Sequence, residues 1–457
     1  MTRVSRAKLD KLSKEDLILL VERLFDEVER LRVDIDKLKQ PPPTSGNSSQ
    51  PPSRDFKSNR PERRTPKPRG AEEGHAKMER KLVNNPDQVI MGVVERCPCG
   101  ADLRQVAPSA VVRRQITELP KFKPVVIETR QQEVICPCCK KTVRGRLPEG
   151  LEAHRAFGPR LEALAVYLQH QQHLGYERTQ MLLKEIFDLE LSDGGQACII
   201  ERAGNAAQPL AESIREAVRQ SRTVGSDETS VRKDGQNWWQ WVFRSTQGVY
   251  HLIRPSRGVD VIQEMMGEWR VSTWVCDCWA PQLKAPAERF QLCLAHQIRN
   301  LQGLRERCPR LRWARELQAL FREAIHLVKR QAELTERGYQ RRVKEIEGKL
   351  TQLIDRPVTT PQAQPLVKRY RKHREHLLVF LHDPSVPHHN NDCERSLRSS
   401  VVHRKITGGF RSEWGPHAYA ALASVIDTAK LQKQSVFETL VNLMGKPVLP
   451  FLTAQNS

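Results

Sequence analysis

The sequence predicts a multidomain α+β protein, and three observations carry that prediction. A leucine heptad opens the chain, two cysteine clusters flank a β-patterned stretch, and past residue 220 three strand patterns are followed by a helix pattern and a fourth strand pattern. At 457 residues the chain exceeds what one hydrophobic core holds, so three or four domains are expected. The expected divisions are 1–40, a coiled-coil dimerisation helix; 41–88, a basic proline-rich linker; 89–150, a small zinc-ribbon-like domain; 151–220, a helical domain; 221–285 and 386–457, the two halves of an α/β core, the second with a tail; and 286–385, a helical insertion between those halves.

The opening helix rests on Leu17, Leu24, Leu31 and Leu38, seven residues apart, with Val21, Val28 and Ile35 between them. β-Branched residues at one seam position and leucine at the other favour a parallel two-stranded coiled coil, hence a homodimer or higher oligomer. The alternative is an amphipathic helix packed on its own chain. Ser13 is placed to cap it, with Asp16 at the third helical position accepting from the Ser13 backbone. The linker that follows, "QPPPTSGNSSQPPSRDFKSNRPERRTPKPRG", has too few apolar residues to bury a core. Its basic side chains either track phosphates or only solubilise a tether.

The next segment holds Cys97 and Cys99, then Cys136, Cys138 and Cys139, around a spacer that reads as short strands. Zinc takes four thiolate or imidazole ligands held by tight turns, which makes Cys97, Cys99, Cys136 and Cys139 a candidate structural zinc set. Cys138 is a bystander or a substitute ligand. The competing reading is a small domain with buried free thiols. The start of the chain carries no apolar signal core, and no run of about 18 apolar residues occurs. Neither secretion nor a membrane span is expected, so the cysteines are expected reduced and the protein cytoplasmic. A net charge of +21 implies a polyanionic partner, nucleic acid first; a merely solvated basic surface is the alternative.

From 155 to 220, "RLEALAVYLQHQQHL" and "ERTQMLLKEIFDLEL" carry apolar residues at helical spacing. A break at "LSDGG" and a cap at Ser192 precede a further helix. Helix, turn and helix suit major-groove binding, and equally suit a plain helical bundle.

"TVGSDETSVRK" then reads as a strand, Asp234-Gly235 as a hairpin turn, and "NWWQWVFR" and "VYHLIRP" as two more strands. "VDVIQEMMGEW" reads as a helix and "VSTWVCDCW" as a short buried strand. Three antiparallel strands, a helix and a fourth strand make the first half of a ribonuclease-H-like fold. In that fold the first and fourth strands are neighbours, so Asp227 and Asp277 converge. Alternation along the strand sends Glu228 to the opposite face. Trp238, Trp239 and Trp241 read as alternating core packing rather than as base-stacking groups.

Converging carboxylates have a chemical use. Mg²⁺ prefers oxygen ligands and binds one or two carboxylates plus substrate phosphate, and two such ions can clamp both oxygens of an in-line displacement at phosphorus. "PHHNNDCERSLRSS" offers a third acid, Glu394, on a helix, with Arg395 and Arg398, and then Arg404 and Lys405, as candidates to hold DNA phosphates. The plainer reading of Glu394 and Arg398 is an i,i+4 salt bridge. His388 and His389 read as a solvated pair before that helix.

"GSDETSVRKDGQNWWQWVF", "QLCLAHQIRNLQ" and "NNDCERSLRSSVVHRKITGGFRSEWG" resemble transposases of the bacterial insertion-sequence-66 family. The resemblance takes in the zipper, "RGAEEGH" and the cysteine region. It implies a DDE-type DNA transposase, with the acidic triad at Asp227, Asp277 and Glu394 and two Mg²⁺ or Mn²⁺ ions. It implies phosphodiester cleavage at the element's terminal repeats, then attack of the freed 3′-hydroxyl on target DNA. Accessory proteins of the same element would be possible partners, and the protein would be nucleoid-associated when bound to DNA. Glu394 lies 117 positions after Asp277, and the stretch between is expected to hold the helical insertion, with "RLRWARELQALFREAIHLVKR" and "ELTERGYQRRVKEIEGKLTQLI" as long basic helices. Cys293 and His296 form a C-x₂-H pair read as structural rather than metal-binding. Two rival functions share these features: a DNA-binding protein without catalysis, and a metal-dependent nuclease that cuts without joining.

Overall fold

The structure, a computed structural model, describes residues 13–39, 44, 46, 80–147 and 155–445. Most of the expected linker, the side chains of Ile35 and Leu38, and the tail beyond 445 lie outside the described residues. The chain divides into two units, residues 57–125 and the remainder.

In the smaller unit the described backbone turns tightly at its cysteine pair. Arg96 bridges Asp102, the Cys97 N–H donates to the Ala101 carbonyl at 2.9 Å, and the Gly100 N–H donates to Cys97 at 2.8 Å. Of the short strands expected between the cysteine clusters only one forms, at Glu133–Ile135; from 103 to 132 no described residue belongs to a strand. Apolar residues there have no core to enter, and Val112 and Ile116 are 82% and 95% exposed. Alternation in the sequence specifies a strand only where one face is buried.

The larger unit begins with helix α1, Lys14–Lys39. Ser13 caps it as expected, its Oγ accepting from the Asp16 N–H at 3.1 Å. The Asp16 carboxylate accepts from the Ser13 hydroxyl at 2.7 Å rather than from its backbone. A two-stranded ribbon follows, β1 (Glu133–Ile135) against β2 (Thr142–Arg144). Three helices come next: α2 (Pro159–His170), α3 (Tyr176–Phe187) and α4 (Asp193–Arg219). Ser192 caps α4 by accepting from the Gly195 N–H at 3.1 Å.

Strands β3 (Thr223–Lys233), β4 (Gln236–Arg244) and β5 (Val249–Arg254) are antiparallel. Asp234 and Gly235 turn the first hairpin with φ of 48° and 75°, the left-handed pair its sequence signalled. Helix α5 (Val259–Met266) crosses to β6 (Val271–Cys276), parallel to β3. A fifth strand, β7 (Ala287–Leu292), lies parallel to β6. The sheet order is β5-β4-β3-β6-β7. β7 corrects the expected boundary at 286: the insertion begins only after this strand. Its "AERFQL" was concealed by two charged residues and by the helical pattern that follows.

The insertion comprises α6 (Leu294–Arg307), α7 (Arg312–Lys329), α8 (Glu336–Asp355) and α9 (Gln364–Lys372). Buried Gln291 of β7 fastens the strand to the chain leaving the insertion. Its side chain donates to the Leu377 carbonyl at 3.1 Å and accepts from the Phe380 N–H at 3.0 Å. The chain then forms α10 (Asn391–Thr407), α11 (Trp414–Leu431) and α12 (Val436–Met444).

Strand alternation divides the sheet's two faces. Trp241, Phe243 and Trp274 point to one face, in the main core with Val261, Ile262 and Met265 of α5. Val242 and Val249 point to the other, against Cys393 and Leu397 of α10, and Val231 and Ile253 meet Tyr419 and Ala420 of α11. Trp241 is fully buried, and Trp238 and Trp239 pack beside these clusters, the core role expected for all three.

Helix α4 turns one side into the core. Ile199, Ala203, Ala207, Ala211 and Ile214 are buried in the main core. A Cβ on Gly204 would stand 2.2 Å from that of Ala418, so α4 and α11 cross at backbone contact. Glu162 of α2, fully buried, meets Arg202 of α4 at 2.5 Å. The 151–220 segment is thus built into the same core as the sheet.

Candidate active site

Two aspartates reach one end of the sheet because of the β3–β6 register. Thr223 pairs with Thr273 and Gly225 with Val275, so the same step sets Asp227 level with Asp277. Asp277 follows directly after the last residue of β6, and its Oδ1 accepts from the Trp279 N–H at 2.8 Å. Asp227 pairs with Val242 across β3–β4 and so lies on the α10 side of the sheet. Glu228, one residue on, lies on the other face as expected. There it meets Arg257 at 2.7 Å and accepts from Gln282 at 2.6 Å. Arg257 in turn lies 4.7 Å from the Trp239 ring and 4.2 Å from the Trp279 ring.

Helix α10 brings the third acid. Its entry is pinned to β3: the Asn390 side chain donates to the Ser226 carbonyl at 2.6 Å, and the Asn390 N–H donates to Cys293 Sγ at 3.2 Å. Asn before a helix signals a cap, yet Asn390 makes no side-chain cap and reaches across to the strand instead. A Cβ at Gly225 would stand 3.0 Å from both Asn390 Oδ1 and Cys393 Sγ, so glycine allows this close approach without displacing either side chain. At the far end of α10, Arg404 donates to the Ser230 carbonyl and, at 2.8 Å, to the Ser230 hydroxyl. One nitrogen of Arg404 is therefore engaged with β3. Arg395, Arg398 and Lys405 are exposed, while Cys393, Leu397, Ser400 and His403 form the buried side.

Glu394 does not pair with Arg398. Its Oε1 meets Arg299 Nη2 at 3.3 Å and His296 Nε2 at 3.5 Å, both from α6. Burial and the Arg299 charge push His296 down to about 4, so near neutral pH the ring is uncharged and the ion pair belongs to Arg299. Cys293, the other member of the C-x₂-H pair, is fully buried and serves the entry of α10 through Asn390. Arg299 and Asn390 carry more of this geometry than their sequence context announced. The one available signal was their position inside the two motifs that bear His296 and Glu394.

Burial, then the charges of Glu228, Asp277 and Glu394, raises Asp227 well above its ordinary value of 3.8. Burial also raises Asp277, against the Trp279 N–H and the charges of Arg257 and Arg369, with Glu394 adding to the rise. Hard oxygen donors are what Mg²⁺ accepts, and a cation offsets both burial and mutual repulsion. Asp227 and Asp277 fit that role. Glu394 has the right chemistry but is engaged by Arg299. Among the described residues no three His, Cys, Asp or Glu side chains form a metal-holding group.

At the second cysteine cluster the Cys136 N–H donates to Lys141 at 2.9 Å and the Lys140 N–H to Cys136 at 2.9 Å. The N–H groups of Cys139 and Cys138, then the Cys139 thiol, lower the Cys136 thiol. In the smaller unit the Ala101 N–H and then Cys97 lower Cys99. All eleven cysteines are free.

Because folding raises Asp227, the linkage has a definite sign. The folded state holds the proton more tightly than the unfolded chain, so stability is full below pH 3.8 and falls as pH rises toward the higher native value. In EDTA, Asp227→Asn should melt roughly 2 °C above wild type at pH 8, with the gap closing toward pH 4. An equal gap at both pH values would contradict the shift.

A family model described as Transposase IS66 family matches residues 154–418, a span containing the whole five-stranded sheet, both aspartates, Glu394 and the insertion. Uncharacterized protein y4jO of Sinorhizobium fredii is 34% identical over 80 residues, 18% of this chain and 25% of that protein. The aligned part thus spans about a quarter of that relative's length. Among the described residues no helix is long and apolar enough to cross a membrane. With more than half of its length matched, sheet and acidic residues included, the chain belongs to the IS66 family of transposases.

Proposed function

We propose that the chain is a DDE-type DNA transposase, which cleaves a phosphodiester at the ends of an insertion sequence and joins the freed 3′-hydroxyl to target DNA. The observation that carries this reading is the parallel β3–β6 pairing that sets Asp227 level with Asp277, inside the family-matched span. The order β5-β4-β3-β6-β7, antiparallel for its first three strands and parallel beyond, supports a ribonuclease-H-like core.

In this reading Asp227, Asp277 and Glu394 hold two Mg²⁺ or Mn²⁺ ions, whose chemistry is to stabilise charge on the attacking and leaving oxygens. The chain's own residues supply position. Asp227 sits within a paired strand, Asp277 is oriented by the Trp279 N–H, and Glu394 rides on a helix fastened to β3. Holding reactants in line and pre-aligning charge is where phosphoryl transfer gains most of its rate. Arg395, Arg398 and Lys405 follow one another at helical spacing on the exposed side of α10. They form a stripe for DNA phosphates, and the +21 charge supplies the wider field.

Two further parts of the proposal concern assembly. Apart from half-buried Leu20, the described apolar residues of α1 are open, from Leu17 at 37% to Phe25 at 72%. They are not packed on the chain's own core, which favours a second copy in a coiled coil. The cysteine turns each offer a pair of thiols, one thiol in each pair acidified, and thiolate is the form that binds zinc.

On labelled element-end DNA with Mg²⁺, Asp227→Asn, Asp277→Asn and Glu394→Gln should each cut and join at least about a hundredfold more slowly while still binding DNA. Specific binding without any product, indifferent to the three changes, would favour a non-catalytic binding protein. Cleavage without joining of a precut 3′-end would favour a nuclease. For assembly, light scattering should give a dimer or larger, and Leu24→Lys with Leu31→Lys should give monomer; a monomeric wild type would remove the coiled coil. Purified protein should carry about one zinc per chain by elemental analysis, lost in Cys99→Ser and Cys136→Ser. Zinc-free protein that is fully folded would remove that part.

A further inference from the structure

Arg299 stands between the insertion and the third acid. Its Nη2 pairs with Glu394 Oε1 at 3.3 Å, while its Nε is buried without a hydrogen-bond partner. The guanidinium is therefore only partly used. Carboxylate and phosphate both accept the planar fork through two donors, and Glu394 here engages only one of its nitrogens. Its side chain is 26% exposed, so an incoming phosphate can reach the outer part of the guanidinium, though not the buried Nε. Arg299 is also rigidly placed: α6 starts at Cys293, whose N–H donates to the Cys276 carbonyl at 2.8 Å beside Asp277, and the Leu294 N–H donates to His388 at 2.9 Å. The same frame thus carries the arginine, the second aspartate and the entry to α10. Meanwhile no metal-holding group of three is assembled among the described residues.

We propose that Arg299 is a latch on the acidic site: in DNA-free protein it holds Glu394 back from Asp227 and Asp277, and a DNA phosphate takes the guanidinium over, freeing Glu394 to join them. This rests on the metal-dependent reading above and adds an order to it, DNA first and complete metal site second. His296, the other contact of Glu394 Oε1, steadies the held position. Arg299 acts here as a positioning residue, since its effect reaches the metal through Glu394. The arrangement would keep a strand-cutting site incomplete until its substrate is seated. A permanent structural ion pair is the alternative, and it predicts no exchange.

Mn²⁺ binding to the full chain, read by electron paramagnetic resonance with and without an element-end duplex, tests the exchange. Wild type should bind Mn²⁺ about tenfold more tightly with DNA than without. Arg299→Ala, and Arg299→Gln with nearly the same length, should bind Mn²⁺ in the absence of DNA as tightly as wild type does in its presence, and DNA should add little more. A gain of equal size in both states would mean that removing a nearby positive charge is the whole effect, and the latch would fall. Unchanged Mn²⁺ affinity in both variants would overturn it too. Asp227→Asn separates the two levels: if it abolishes Mn²⁺ binding while the Arg299 variants change nothing, only the latch fails. If Asp227→Asn binds Mn²⁺ like wild type, the metal-dependent reading itself fails.

Discussion

The acidic site depends first on main-chain pairing, not on any side chain. Parallel hydrogen bonding between β3 and β6 sets the level of two aspartates that are far apart in sequence. A shift of one residue would turn one of them to the face where Glu228 lies, since side chains alternate. The same strand anchors α10 at both ends, through the Ser226 and Ser230 carbonyls. These are side-chain bonds to backbone acceptors on a strand already held by β4 on its other edge. Glu394 inherits its position from that attachment. Gly225 leaves room for it without displacing a side chain.

Such a site opposes the stability of the fold that carries it. Burial and mutual charge raise Asp227 and Asp277. The surroundings are correspondingly over-determined. Trp241, Phe243 and Trp274 are fully buried on the opposite face, with the Trp274 indole N–H donating to Ser226 at 2.9 Å. Ser226 in turn donates to Gln282 at 2.8 Å, and Gln282 donates to Glu228. A polar chain thus runs under the aspartates with its members satisfied, which is the condition for a buried network to add rigidity instead of cost.

The sequence was most legible where one local rule governs one element. "TVGSDETSVRK" is bounded as read because alternation and the Asp234-Gly235 turn agree with the tertiary pairing. Ser13 and Ser192 cap their helices because capping is decided within a few residues. The failures share a different cause. β7 needed β6 as a partner before its six residues became a strand, and the alternating stretch before Gln132 stayed irregular because nothing covers it. Asp227, Asp277 and Glu394 could be singled out in the sequence from motif and topology. Arg299 could not, because its meaning lies in a contact 95 residues away, and only folding brings α6 against α10.

That contact also recasts the segment with which Glu394 arrives. Read as an isolated helix, Glu394 and Arg398 satisfy each other four residues apart. In the fold the carboxylate turns inward to α6, and Arg398 is left to solvent beside Arg395 and Lys405. One helix therefore separates two electrostatic tasks. Its inner side sets a negative charge against α6, and its outer side presents positive charge. The inward task is tolerable in the absence of a cation because Arg299 neutralises that charge. The fold thus sets a positive charge of α6 against Glu394, and that contact, rather than a pairing with Arg398, accounts for where the acid lies among its arginines.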